Sequence, residues 1–131
     1  MLKWLRKSQV GQAMVEMALV LPILVILISG ILDFGWLCYN KVALNNAARE
    51  GARYAVIHYA PASSWAADTI DIMQSSYVGV TGASATVIDP YDSQIKAVMS
   101  ANVPVLTGVG STILGTKFVD MTGECIMRLE N

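Results

Sequence analysis

A single histidine, two cysteines and little charge leave this 131-residue chain few of the groups that enzymes and metal sites are built from. His58 is the only histidine, and its place near the end of a helical stretch suits contact with the last helix carbonyls. No Ser or Cys has a second histidine to serve it, so no nucleophilic triad is assembled. Cys38 and Cys125 are too few for a zinc site and match no redox spacing. They are expected to stay unpaired, as buried, inert thiols. Asp68 and Asp71 read as a solvated helix face, and no second carboxylate pair is placed for acid–base work or glycoside hydrolysis. The glycines of "GVGSTILG" have no lysine directly following, so they form no phosphate loop. A net charge of −1 removes the electrostatic case for nucleic acid. The chain reads as a non-enzyme that requires neither cofactor nor metal.

What is abundant is apolar surface. The sequence is 54% hydrophobic, and residues 12 to 39 hold most of the excess. The length allows one ordinary domain beside such a segment. Met17 to Leu32 carries no charge; at about 1.5 Å per residue this covers ~24 Å of a ~30 Å hydrocarbon layer. The flanking residues supply the remaining length, with Glu16 and Asp33 near the two boundaries and Trp36 and Tyr39 suited to the far interface. The run is too long for a secretory h-region, and Ser29-Gly30-Ile31 is a poor cleavage site, so the segment is expected to stay in the membrane. Pro22 and Gly30 are tolerated in lipid, Pro22 with a mild kink. Lys3, Arg6 and Lys7 favour a cytoplasmic N-terminus, while Lys41, Arg49 and Arg53 on the other side weigh against it.

Helical patterning continues beyond the apolar run. Leu44, Ala48, Gly51, Ala52, Ala55 and Tyr59 fall on one stripe, and Asn45, Asn46, Arg49, Glu50 and Arg53 on the polar face. One helix from Gln12 to Tyr59 would be about 70 Å long and would end before Pro61. Its Ala/Gly stripe suits close packing, either on the protein's own sheet or on the helix of another subunit. Ser63 and Ser64 are placed to cap a second helix running to Ser76, with Trp65, Ile70, Met73 and Tyr77 on its apolar side. A short strand is expected near Ala85–Ile88, followed by a turn at "DPYD". Ile95, Ala97, Met99, Ala101, Val103 and Val105 then alternate with polar residues as a strand with one buried face. Pro104 places the end of that strand at a sheet edge. "TGVGSTILG" reads as a loop or single turn. A last strand carries Val119, Met121, Cys125, Met127 and Leu129, split by Gly123. The fold class is α+β: a long helix, a short helix and a small antiparallel sheet.

Glu16 is the discordant residue. At mid-bilayer an acidic group costs on the order of 3 kcal/mol, so it calls for a cation even at shallower depth. A cut between Gly11 and Gln12 would create an α-amine and remove Lys3, Arg6 and Lys7, leaving six basic against ten acidic residues, a charge of about −4. The amine of one subunit could then neutralise Glu16 of the next and set their axial register. Alternatively Glu16 simply snorkels to the interface.

"GQAMVE" at 11–16 resembles the prepilin-peptidase site of type IV pilins, with glycine before the cut and glutamate fifth after it. With "GQAMVEMALVLP" (11–22), "GILDFG" (30–35) and "NNAAREGARYAV" (45–56), the first 60 or so residues resemble the TadE-like pseudopilins of tight-adherence (Flp, type IVb) pili. Met17 stands where that family more often has an aromatic residue. The resemblance implies a minor pilin-like subunit of a bacterial pilus machine, inserted in the inner membrane and trimmed by a prepilin peptidase. Its partners would be other pilins or pseudopilins, the assembly platform and membrane lipid, without nucleic acid. Gly11 and Glu16 would be the processing determinants and Gln12 the first mature residue. Residues 1–11 would form the leader, 12–39 the membrane segment and 40–131 the outer α+β domain. Glu16, Pro22, Gly30, Asp33, Ala48, Arg49, Gly51, Ala52 and Arg53 are then candidates for helix packing or assembly, although a carboxylate at the outer interface suffices for Asp33. The rival reading is a signal-anchored envelope protein with a partner-binding outer domain and no pilus role.

Overall fold

The computed structural model describes residues 2–59, 64–80, 82–88 and 94–129, with side chains in the first helix described from Gly11 onward. Its elements are helix α1 (Leu2–His58), helix α2 (Trp65–Ser76), strand β1 (Ser84–Ile88), strand β2 (Gln94–Pro104), helix α3 (Gly108–Leu114) and strand β3 (Phe118–Arg128). The architecture is α+β. The long helix is continuous through Pro22, Gly30 and the stretch between residues 38 and 46. The "DPYD" turn, Pro61 and Ser63 lie outside the described residues.

The three described strands form one antiparallel sheet in the order β1-β2-β3. The alternation in β2 decides which face meets the helix: Ile95, Ala97, Met99, Ala101 and Val103 are buried against α1 and α2. From the other side of this core, α1 contributes Leu44, Ala47, Ala48, Ala52 and Ala55, all fully buried. The Ala/Gly stripe therefore packs within its own chain. A Cβ on Gly51 would meet Met73 Sδ of α2 at 2.5 Å, so the missing side chain lets the two helices approach closely.

Two sheet and loop expectations need correction. β3 is not split at Gly123; the glycine is buried inside an unbroken strand, paired with Met99. A Cβ there would lie 2.6 Å from both the Leu44 backbone oxygen and the Asn45 backbone nitrogen. Glycine is required because the α1 backbone rests on the strand. Pro104 stands, as expected, where its strand's end is a sheet edge: β2 is central, but β1 pairs only as far as Ser100, leaving that side of β2 open beyond it. "TGVGSTILG" contains helix α3, with the Thr107 hydroxyl accepting from the Gly110 N–H at its start and Gly115 in the left-handed region (φ 69°) at its end.

Smaller differences follow the same local chemistry. Ser64 precedes α2, but its hydroxyl donates to the Asp68 carboxylate instead of accepting a backbone N–H. Its carbonyl accepts from Ala67 and Asp68. Both cysteines are free, and Cys38 is exposed rather than buried, while Cys125 is half-buried. The His58 ring nitrogen Nδ1 lies 3.0 Å from the Tyr54 carbonyl, one turn back on α1. On the outer sheet face Lys96 meets Glu124 at 2.7 Å, and this hydrogen bond holds the Glu124 carboxyl below its ordinary range.

Candidate functional site

From Gly11 to Leu32 the helix has almost nothing packed on it. Met14, Val15, Met17, Leu19, Val20, Leu21, Ile23 and the apolar residues through Leu32 are exposed, and the stretch is long and apolar enough to cross a membrane. Gly11 is exposed at its head, and a Cβ there would meet open space. One turn on, Glu16 is exposed too, and the Gln12 side-chain amide donates to Glu16 Oε1 at 3.4 Å. Among the described residues that amide is the only polar partner of Glu16, and it brings no charge. Pro22 and Gly30 lie on the exposed helix, and a Cβ on Gly30 would meet open space.

The environment changes at Asp33. Its side chain is buried at 5% exposure, accepting from the Thr107 backbone N–H at 2.9 Å and from the Thr107 hydroxyl. Gly110 sits so close that a Cβ would lie 2.9 Å from Asp33 Cγ. Asp33 is thus not a free carboxylate at the outer boundary. It fastens the β2–α3 junction to α1. One turn further the Trp36 indole N–H donates to the Pro104 carbonyl at 3.1 Å. The Asn40 side-chain amide donates to the Trp36 carbonyl at 2.9 Å and accepts from the Tyr77 hydroxyl at 3.1 Å. Tyr39 donates to the Val78 carbonyl. The aromatics assigned to a membrane interface therefore also bind the folded part to the helix, and the gripped region begins at Asp33.

Of the remaining candidates, Ala48, Gly51 and Ala52 lie in the core described above. Arg49 and Arg53 are exposed. Arg53 pairs with Glu50 one turn earlier at 2.5 Å; hydrogen bonding between them lowers the Glu50 carboxyl and raises the Arg53 guanidinium. Exposed pairs of this kind contribute little to stability. The structure therefore separates two groups. Gly11, Gln12 and Glu16 lie on a bare apolar helix, and Asp33 through Ala52 face or flank the domain.

A family model for TadE-like proteins matches residues 11–53. Those residues, about a third of the chain, are similar to TadE-like proteins. The match begins at Gly11, spans Glu16, Pro22, Gly30 and Asp33, and ends at Arg53 on the helix surface. The TadE-like stretch thus lies wholly within α1, and the sheet, α2 and α3 fall beyond it. The matched stretch includes the whole exposed apolar part of α1, which is long and apolar enough to cross a membrane. No curated protein and no solved structure matches the chain.

Reading residues 12–39 as one lipid segment hides the part that Asp33 plays in fastening the domain. A signal existed: Asp33, Trp36, Asn40, Leu44 and Ala47 succeed one another at spacings of three and four. The core stripe of α1 begins inside the apolar run.

Proposed function

We propose that this TadE-like protein is a minor pilin-like subunit that enters the bacterial cytoplasmic membrane with its N-terminus inside. A prepilin peptidase then removes residues 1–11, and the trimmed chain serves tight-adherence pilus assembly. The observation that carries this reading is the head of α1: Gly11–Gln12 stands on exposed helix, and Glu16 follows on an unbroken apolar rod that continues into the folded domain. A peptidase gains close backbone approach at a glycine with open space around it. After the cut, the Gln12 α-amine of one subunit supplies the cation that Glu16 of a neighbour lacks. Within lipid that pairing offsets a desolvation cost on the order of 3 kcal/mol and sets how far one helix slides along the next. Lipid then covers the helix from Gln12 to about Leu32, some 30 Å at the helical rise. Asp33 and the domain stand just outside.

Two substitutions separate processing from assembly. Gly11→Leu leaves the protein full-length in the membrane. Glu16→Ala is still trimmed but fails in assembly, because its task follows the cut. Immunoblot size and surface piliation, in a strain lacking the wild-type copy, read the two outcomes. Unchanged size for Gly11→Leu together with normal pili for both variants would leave a plain signal anchor, and the proposal fails.

A further inference from the structure

The end of the domain nearest the bare stretch of α1 presents an apolar surface that the core does not use. β2 runs back along α1 toward its N-terminal half, since Pro104 meets Trp36 and Thr107 then meets Asp33. The connection from Val105 to Lys117 is closed at its base by the Val105 N–H donating to the Lys117 carbonyl at 3.0 Å. It is therefore a compact tip, held beside Asp33 where the exposed apolar helix ends. No residue from 105 to 116 is charged. Leu106, Ile113, Leu114 and Phe118 are 54–72% exposed, and no residue of α3 is buried. Lys117 closes the uncharged run.

We propose that the α3 tip is a second membrane contact, with Leu106, Ile113, Leu114 and Phe118 seated in the headgroup–acyl boundary of the outer leaflet. This rests on the membrane-anchored reading of α1. The occupant follows from continuity: the tip is fastened to Asp33, the residue directly after the lipid-length apolar stretch, so the medium that covers Leu32 also reaches α3. The uncharged part of the span supports this, because Met17 to Leu32 covers only about 24 Å and the hydrocarbon edge then falls close to Asp33. Asp33 is tolerated at that depth because Thr107 satisfies its oxygens. Lys117, at the rim of the patch, is placed to reach an anionic phosphate. The tip thereby fixes the tilt of the whole domain on the membrane surface, which one helix alone would leave free.

The test uses the full chain with Cys38→Ser and Cys125→Ser, reconstituted in nanodiscs of phosphatidylethanolamine and phosphatidylglycerol. A bimane label is placed singly at Ile113→Cys, at Leu24→Cys in the span, or at Ser75→Cys on exposed α2. Lipids spin-labelled near the headgroup should quench position 113 several-fold more than position 75. Deep-labelled lipids should quench position 24 most, and aqueous iodide should reach 75 but not 113. Iodide quenching at 113 equal to that at 75, with 24 still quenched by deep lipid, overturns the tip contact and leaves the anchor intact. Shielding of 113 from both lipid and iodide means that another protein copy covers it, which also overturns the proposal. Absence of lipid quenching at 24 removes the anchor and takes this inference with it.

Discussion

Gly123→Ala should destabilise the domain, although alanine is ordinarily the better strand residue. The added methyl would lie 2.6 Å from the Leu44 oxygen and the Asn45 nitrogen, both of them backbone atoms. The Leu44 carbonyl carbon lies closer still, so reaching ordinary van der Waals contact requires α1 and β3 to separate by about 1 Å, and neither can do so by a side-chain rotation. Overpacking of this type costs ~1–3 kcal/mol, and backbone atoms on the far side put the substitution near the top of that range. Against it stands the ~0.5–1 kcal/mol that replacing a strand glycine would otherwise gain. The net loss is about 2 kcal/mol, a fall in Tm of roughly 8–16 °C for a folded part of about 100 residues. Thermal unfolding of the detergent-solubilised full chain, followed by tryptophan fluorescence and near-UV circular dichroism, reads the shift. Gly51→Ala serves as the comparison, because its new methyl would meet the Met73 side chain, which can change rotamer, rather than backbone, and the helix gains from losing a glycine. Gly51→Ala should therefore cost clearly less. Gly123→Ala as stable as the wild type, or less damaging than Gly51→Ala, would refute the reasoning that α1 rests directly on β3.

Asp33→Ala leaves the Thr107 N–H without its acceptor and should cost about 1–3 kcal/mol, with faster amide exchange at Thr107 and Gly110; Asp33→Asn should retain part of the protection. Intact mass should be unchanged by reduction, and maleimide should modify exposed Cys38 faster than half-buried Cys125; a Cys38–Cys125 disulfide peptide would contradict the fold. Glu124 is held below its ordinary value of 4.5 by the Lys96 hydrogen bond, so the unfolded chain takes up this proton at higher pH than the folded one. The stabilisation from this pair is complete above about pH 4.5 and is lost as pH falls through the folded value. Acid titration of stability should show Lys96→Met and wild type converging at low pH, and a constant gap would contradict the assignment.

Much of this architecture was legible because two periods are hard to mistake. The Leu44–Ala55 stripe repeats with the helix and the Ile95–Val103 alternation with the strand, and both faces are buried where those patterns place them. What escaped was decided by proximity across the chain. Gly123 reads as a break until the α1 backbone is seen to occupy the place of its side chain. Asp33 reads as a boundary charge until Thr107 is brought back to it by β2. Helix α3 is short, rich in glycine and without charge, so neither an amphipathic period nor charged ends announced it. At the proposed processing site the residue types and spacing carry the reading, and the structure adds their setting. Gly11 is open to approach, and Glu16 has only the Gln12 amide beside it among the described residues.

Under the proposed function, entry into a pilus-assembly pathway turns on removal of residues 1–11. N-terminal sequencing of the protein isolated from its native membrane tests this most directly. The expected result is a chain beginning at Gln12, lighter by residues 1–11, whose Gly11→Leu variant keeps the leader. A wild-type chain that retains Lys3, Arg6 and Lys7 in membranes containing an active prepilin peptidase would contradict it.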